Sequence, residues 1–224
     1  MGSNRTNHKV KFLMKKFVSL LSGGLDSPIA SYMMIKKGFS PVFLSFLTSD
    51  DSNQTLKGKI YKVISKLREF SNYNIKSYFI NHDPNLENFV NSCERKLTCI
   101  LCKRFMLKIA MRIAKIEATN IIVTGDIMGE QASQTLDNIF VYNDILQGYV
   151  VIRPLIGLNK NDIITLNKEL ELYDLTSSKT ASCQYNPQYP ETHAKPNEIK
   201  FAELKIDFQS LITNSLNLAE ILEF

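Results

Sequence analysis

No run in this chain approaches the ~18 consecutive apolar residues that a membrane-spanning helix needs, so the sequence predicts a soluble protein. A secretory leader is not expected either. The basic start, Asn7 to Lys16, precedes too short an apolar run before Ser22 to form the core of a signal peptide. A cytoplasmic chain is therefore the expectation. The opening "MGSNRT" fits the myristoylation pattern at Gly2 and Thr6, but that pattern is too loose to argue from. Histidine is scarce. His8, His82 and His193 show no ligand spacing, and none is assigned a role. There is no internal repeat and no low-complexity segment, which excludes a repeat architecture. Cysteine is limited to Cys93, Cys99, Cys102 and Cys183. Without a leader, the C-x5-C-x2-C spacing reads as metal or sulfur chemistry in a reducing compartment, not as a disulfide framework. The net charge of +5 permits an RNA partner without demanding one.

What remains is enough for one sizeable domain, or a domain with an appendage: 224 residues, 44% of them hydrophobic. Apolar runs predict strands over Phe17–Leu21, Pro41–Leu47, Ile75–Ile80, Asn120–Asp126 and Tyr149–Leu155. Helices are predicted over Asp26–Lys37, with Pro28 in the first turn, and over Leu101–Lys115. Lys57–Phe70 is amphipathic, with Ile60, Val63, Ile64 and Leu67 on one face. Asn159–Leu172 follows, with Asn159 as N-cap and Asp162 three residues on. Asp50–Thr55 reads as a polar loop, and Pro187, Pro190 and Pro196 mark a stiff one. A last amphipathic helix carries Leu204, Phe208, Leu211 and Ile212. Strands alternating with helices predict an α/β, doubly wound, five-stranded and mainly parallel sheet with helices on both faces.

The first strand runs into "SGGLDS", Ser22 to Ser27, and then into a helix. In an open parallel sheet, ligands bind at the carboxyl ends of strands. A glycine turn there gathers backbone N–H groups at the positive end of a helix dipole, which suits an anion. Gly23 and Gly24 are expected to allow close approach and unusual dihedrals, and Ser22 and Ser27 to add hydroxyl donors. The turn has neither the lysine of a Walker A loop nor G-x-G-x-x-G spacing. Asp26 beside it would repel phosphate unless Mg²⁺ intervened. An ordinary glycine turn capped by Ser or Asp is the alternative.

"SGGLDS" resembles the pyrophosphate loop of the N-type ATP pyrophosphatases, the PP-loop enzymes, which cleave ATP between its α and β phosphates. Within that superfamily the chain is most similar to the tRNA 4-thiouridine synthetases. "LLSGGLDSPIASYMM", "CILCKRFMLKIA", "TGDIMGEQASQTLDN" and "VIRPLIGLNKNDII" fall in that family's order and at its approximate spacing. The resemblance extends over about residues 17–196. It implies an adenine-nucleotide α-hydrolase-like domain over 1–196, with 197–224 as a helical tail packed on it. It also implies that AMP is placed on O4 of a uridine in tRNA and that sulfur then displaces AMP. Ser22, Gly23, Gly24, Asp26 and Ser27 would hold pyrophosphate and Mg²⁺. Leu20, Leu21, Ser45 and Phe46 would contact the nucleoside of ATP, Gly125 and Gln134 would line the same site, and Lys103 or Arg104 would lie near the phosphates. The family usually has His-Phe where this chain has Ser45-Phe46, and Arg-Arg where it has Lys103-Arg104. Lysine keeps the charge but loses the bidentate fork.

Cys183 matches a cysteine that is catalytic in the family. Members without a rhodanese domain carry the C-x-x-C and hold an iron–sulfur cluster with the third cysteine, which here implies Cys99, Cys102 and Cys183. The rivals are zinc with Cys93 as fourth ligand, a dithiol relaying persulfide, and cysteines that merely pack. Basic Lys103 and Arg104 are expected to lower the thiol pKa values. Arg104, Lys108, Arg112 and Lys115 form a basic stripe on one helix, read either as a solvated face or as a contact for RNA phosphates. Family members usually begin with ferredoxin-like and THUMP domains. Here the loop begins at residue 22, so a THUMP-containing protein acting in trans is a possible partner. The alternatives to tRNA thiolation are sulfur insertion into a small metabolite, of the thiazole or thiamine type, and a non-catalytic nucleotide-binding subunit.

Overall fold

The computed structural model describes residues 15–48, 53–178 and 183–224. The basic start, the Gly2–Thr6 pattern, His8 and the first residues of the Asp50–Thr55 loop lie outside the described residues. The elements run β1 (Lys16–Leu20), α1 (Asp26–Lys36), β2 (Ser40–Leu47), α2 (Asn53–Arg68), β3 (Lys76–Asn81), α3 (Asp83–Ser92) and α4 (Thr98–Ile116). Then come β4 (Ile121–Val123), α5 (Leu136–Phe140), β5 (Val150–Ile152), α6 (Lys160–Glu169), α7 (Tyr173–Ser177), α8 (Pro196–Glu203), α9 (Phe208–Asn217) and β6 (Glu220–Glu223).

The six strands stand in the order β5-β4-β1-β2-β3-β6. All neighbours are parallel except β3 and β6. Alternation along each strand splits the core in two. Val18, Leu20, Val42, Leu44, Tyr78 and Ile80 join a cluster with α3, α4, α8 and α9. Phe17, Leu21, Phe43, Phe79 and Val123 join the other, with α1, α2 and α6. Ile60, Val63, Ile64 and Leu67 of α2 are all buried there, as their spacing predicts. Both faces are covered, so the strands read as continuous apolar runs.

The sheet has one strand more than the expected five. From Pro196 on, the chain forms two helices and the edge strand β6, not a single amphipathic helix. β6 is four residues long and its Ile221 is half exposed, so it carries little pattern to read. Its pairing with β3 sets Ser77 opposite Leu222, and Leu222 and Phe224 pack on the second cluster. No element was expected at α3. Its buried apolar side is only Leu86 and Phe89. Asn159 caps α6 as expected, accepting from the Asp162 N–H at 3.0 Å.

At the amino ends of the strands, Glu117 staples three elements. Its carboxylate accepts from Tyr78 at 2.7 Å, Lys76 at 2.9 Å and Lys16 at 3.0 Å. Burial alone would raise its pKa, but the hydrogen bonds from Tyr78, Lys76 and Lys16 outweigh that and hold it at about 2. A depressed carboxyl stabilises the fold above its unfolded value, ordinarily near 4.5, and that contribution is lost as pH falls toward about 2. The melting temperature should therefore fall as pH drops through that window. Glu117→Gln should lower it at pH 7 and flatten this part of the profile. An unchanged profile would remove Glu117 as the cause.

Candidate active site

A cavity of about 380 Å³ opens at the carboxyl ends of the central strands. Its walls are the loop after β1, Leu86 of α3, the start of α4, the turn after β4 with Gln131 to Gln134 beyond it, and the segment from Cys183 to Asn186. The loop after β1 is held by its own hydroxyls. Ser27 Oγ accepts from the Ser22 N–H at 2.8 Å and lies 3.0 Å from Ser22 Oγ. The Gly24 N–H donates to Ser22 Oγ at 3.3 Å. No side chain caps the first turn of α1 from the N-cap Leu25, so its leading N–H groups keep donors for a ligand. From behind, Asn167 Nδ2 donates to the Leu25 carbonyl at 2.9 Å.

The glycines act through space. Neither Gly23 nor Gly24 has a positive φ, contrary to the dihedral role expected of them. At Gly23 a Cβ would meet Leu56 at 3.0 Å and the Lys59 stem at 3.2 Å. At Gly125 it would sit 2.7 Å from the Ser27 nitrogen, so only glycine lets the turn after β4 lie against the loop.

Leu20, Ser22, Asp26, Ser27, Lys103, Gly125 and Gln134 all line the cavity. Leu21, Gly23, Gly24, Ser45 and Phe46 do not. Leu21 is buried on the opposite face of the sheet, and its carbonyl accepts from Ser45 Oγ at 2.9 Å. Phe46 packs edge-on against His82, ring centroids 4.9 Å apart. Arg104 is also misplaced by the sequence reading. It is fully buried, with two bonds to Glu203 at 2.9 and 3.0 Å, two to Asp144 at 2.6 and 3.1 Å and one to the Val141 carbonyl. One step along a helix turns a side chain by about 100°, so Lys103 and Arg104 cannot share a face. The supposed basic stripe is in part a docking seam. Lys108 pairs with Glu203 at 3.1 Å and lies over the Phe208 ring, and Arg112 donates to Gln209.

Two charged partners of the cavity escaped the sequence reading. Lys160, just past the cap of α6, reaches Asp26 with Nζ at 2.6 Å. Asp126 is almost wholly buried and accepts from Lys103 at 2.7 Å, Thr124 at 2.7 Å and Arg153 at 3.2 Å. Burial would raise its pKa, but the Lys103 charge leads the neighbours that hold it below the carboxylate range. The signals were present in "NIIVTGD" and "GLNKND". There Asp126 lies just past a strand's carboxyl end and Lys160 begins a helix, positions where an α/β sheet puts its ligands.

Cys99, Cys102 and Cys183 line this same cavity. Cys99 and Cys102 are in the first two turns of α4 at i,i+3, on one face. Cys99 Sγ donates to Asn186 Oδ1 at 3.2 Å. Cys102 Sγ is 3.2 Å from His82 Nε2. The Cys183 segment is tied back to the α3–α4 junction. Arg95 donates to the Gln184 carbonyl at 3.1 Å, and Tyr185 Oη to Glu87 at 3.2 Å. Cys93 stands apart, donating to the Ala202 carbonyl.

The thiol pKa values move opposite to expectation. Burial pushes Cys99 up to about 11, and Cys102 higher still, with the neighbouring sulfurs adding to it. The opposing charges are weaker, Arg95 at Cys99 and Lys103 at Cys102, while Arg104 is committed elsewhere. Among the described residues no group of three or more His, Cys, Asp or Glu side chains is arranged to hold a metal ion. The three thiols thus suit a soft metal by kind but not by their present arrangement. Asp26, Ser22 and Ser27 offer the oxygen donors that a hard cation takes. No helix among the described residues is long and apolar enough to cross a membrane.

The family model described as "Thiamine biosynthesis protein (ThiI)" matches residues 12–208. A probable tRNA sulfurtransferase of Methanosarcina mazei is 35% identical over 210 residues, covering 93% of this chain and 51% of the relative. Another, of Methanocaldococcus jannaschii, is 38% identical over 197 residues, covering 85% of this chain and 50% of the relative. The chain thus spans about half the length of the curated relatives it matches. A solved 4-thiouridine synthetase–RNA complex with bound ATP superposes with a TM-score of 0.88 at 27% identity, over 94% of this chain and 55% of that one. The NMN synthetase of Francisella tularensis, at a TM-score of 0.56 and 18% identity, covers 90% of this chain and 76% of that one and shares the fold.

Proposed function

Because this chain belongs to the ThiI family, we propose that it uses ATP to adenylate a uridine carbonyl in tRNA and replaces that oxygen with sulfur, giving 4-thiouridine. One observation carries the reading: the Ser22–Ser27 loop and the three cysteines share a single cavity. Adenylation and sulfur delivery must meet at one carbon. The names of the two methanogen relatives and the ATP and RNA bound to the solved synthetase support it.

In the first step uridine O4 attacks the α-phosphorus, the bond to the β-phosphate bridge breaks, and pyrophosphate leaves. The N3 proton is released. The N–H groups of the loop and of α1 face the charge that builds on the leaving group. Lys103 and Lys160 add fixed positive charge, each held in place by a carboxylate. Asp26, with the hydroxyls of Ser22 and Ser27, would hold Mg²⁺, which supplies further neutralisation of the phosphates. In the second step sulfur at the hydrosulfide level attacks C4, the C4–O bond breaks, and AMP departs with the former carbonyl oxygen. The hydrosulfide proton returns to N3.

Cys99, Cys102 and Cys183 handle that sulfur. An iron–sulfur cluster is the centre we assign to them, with zinc and a persulfide relay as rivals. tRNA is the partner, with a THUMP-containing protein in trans as a further one, and the cytoplasm, where tRNA is found, is the location. The test is ATP–pyrophosphate exchange on the full chain, together with nucleoside mass spectrometry of tRNA incubated with ATP and sulfide. AMP, pyrophosphate and 4-thiouridine in equal amounts are expected. ADP as product overturns the reading. Exchange that needs a small metabolite in place of tRNA reassigns the substrate, and no exchange at all leaves a binding subunit.

A further inference from the structure

A buried imidazole behind the cavity is used by neither step. His82 follows β3 as the N-cap residue of α3 and is 3% exposed. Its backbone N–H donates to the Leu47 carbonyl at 2.8 Å, and its own carbonyl accepts from Asn85 and Leu86, so the residue is fixed to the sheet. The ring is clamped by a stacked Phe105, centroids 5.7 Å apart, and by Phe46 and Phe89 edge-on. Two polar contacts remain. Nε2 lies 3.2 Å from Cys102 Sγ, and Nδ1 lies 3.4 Å from Asn85 Nδ2.

The second contact decides the first. An amide nitrogen only donates, so Nδ1 is the acceptor and the ring hydrogen is on Nε2. Asn85 is 2% exposed, and its amide is held by Ser215 of α9, whose hydroxyl lies 3.1 Å from Nδ2 and 3.3 Å from Oδ1. Cys102 can send its own S–H toward Met106 Sδ at 3.7 Å, which leaves its sulfur lone pairs for the imidazole.

We propose that His82 is a positioning residue. Its Nε2–H, set by the Ser215–Asn85 pair, aims the Cys102 sulfur into the cavity and stabilises negative charge on it. The inference rests on the reading that the cavity cysteines handle the transferred sulfur. Sulfur in a thiolate, a persulfide or a metal–thiolate bond carries more negative charge than a thiol. A neutral N–H donor at hydrogen-bond distance favours each of those over the thiol.

The test compares His82→Phe, which keeps the aromatic packing and loses the donor, with His82→Gln, which keeps an N–H. His82→Phe should keep ATP–pyrophosphate exchange within about twofold. Its kcat for 4-thiouridine should fall by about 10–100-fold, with KM for ATP and tRNA unchanged. In metal-free protein at one fixed pH, labelling of Cys102 by iodoacetamide, read by peptide mass spectrometry, should fall severalfold relative to Cys99. His82→Gln should recover part of both losses. Asn85→Leu, which releases the tautomer but keeps His82, should move both readouts the same way by less, and it decides the matter if His82→Phe does not fold. Unchanged or faster Cys102 labelling overturns the proposal, and so does a parallel loss of exchange and thiolation. If the parent protein neither exchanges nor thiolates, the functional reading fails, while the labelling comparison still judges His82.

Discussion

Asp26→Ala should abolish production of AMP and pyrophosphate while leaving the fold intact. The carboxylate lines the cavity at the first residue of α1, paired with Lys160 at 2.6 Å. Its removal costs the site its charged ligand for a hard cation and the partner that holds Lys160 in place. Loss of one contact to charge developing in a transition state typically slows turnover by ~10²–10³. Two such contacts are linked here, so the loss should lie at the upper end. The fold should survive because Asp26 has no part in the core, and the loop is closed by the hydroxyls of Ser22 and Ser27. The measurement is steady-state release of AMP and pyrophosphate at matched Mg²⁺ and ATP, with a melting curve as control. Undiminished turnover in the variant would sink the assignment of the loop, as would ADP released by the parent protein.

The parts of this molecule legible in sequence were those with strong local pattern. The apolar runs of β1 to β4 and the periodic face of α2 declare themselves because burial leaves continuous apolar stretches in the strands and one apolar face on the helix, while β5 shows the same apolar run at a partly exposed sheet edge. The loop between β1 and α1 was legible from its composition and from its position at a strand's carboxyl end. What stayed hidden depends on partners far away along the chain. Arg104 and Lys103 are adjacent in sequence, yet Glu203 and Asp144 draw one inward while Asp126 draws the other into the cavity. Nothing local to α4 announces that division. The thiols were expected to be acidified by nearby cations. Burial dominates instead, and burial is a property of the assembled cavity. His82 looked like an isolated histidine because Cys102 and Ser215, which give it a place, lie on α4 and α9. β6 was missed because it is a short edge strand, antiparallel at the end of a parallel sheet.

The sulfur half of the reaction should separate cleanly from the adenylation half. Cys99→Ser and Cys183→Ser should each keep ATP–pyrophosphate exchange, because the phosphate end of the cavity is held by its own bonds, Asp26 to Lys160 and the Ser22 hydroxyl to that of Ser27. Each should lower 4-thiouridine formation on the order of 10³-fold or more, the scale seen when a group that bonds the reacting atom is removed. Burial raises the pKa of the Cys99 and Cys102 thiols, so ionising them needs a compensating positive centre. A cluster supplies one, whereas Lys103 is already committed to Asp126. Protein purified without oxygen should therefore be brown, with about three or four irons per chain, and Cys99→Ser should lose colour together with thiolation. Binding should also draw Cys183 toward the Cys99–Cys102 pair, since the three are not arranged around a metal as they stand. The Pro187 and Pro190 segment would then move as a stiff unit. Colourless anaerobic protein that binds only zinc rules out the cluster. Colourless, metal-free protein that thiolates tRNA from a persulfide donor but not from sulfide, with a disulfide left between two of its cysteines, points to the persulfide relay. Full thiolation by both serine variants would remove Cys99 and Cys183 from the reaction.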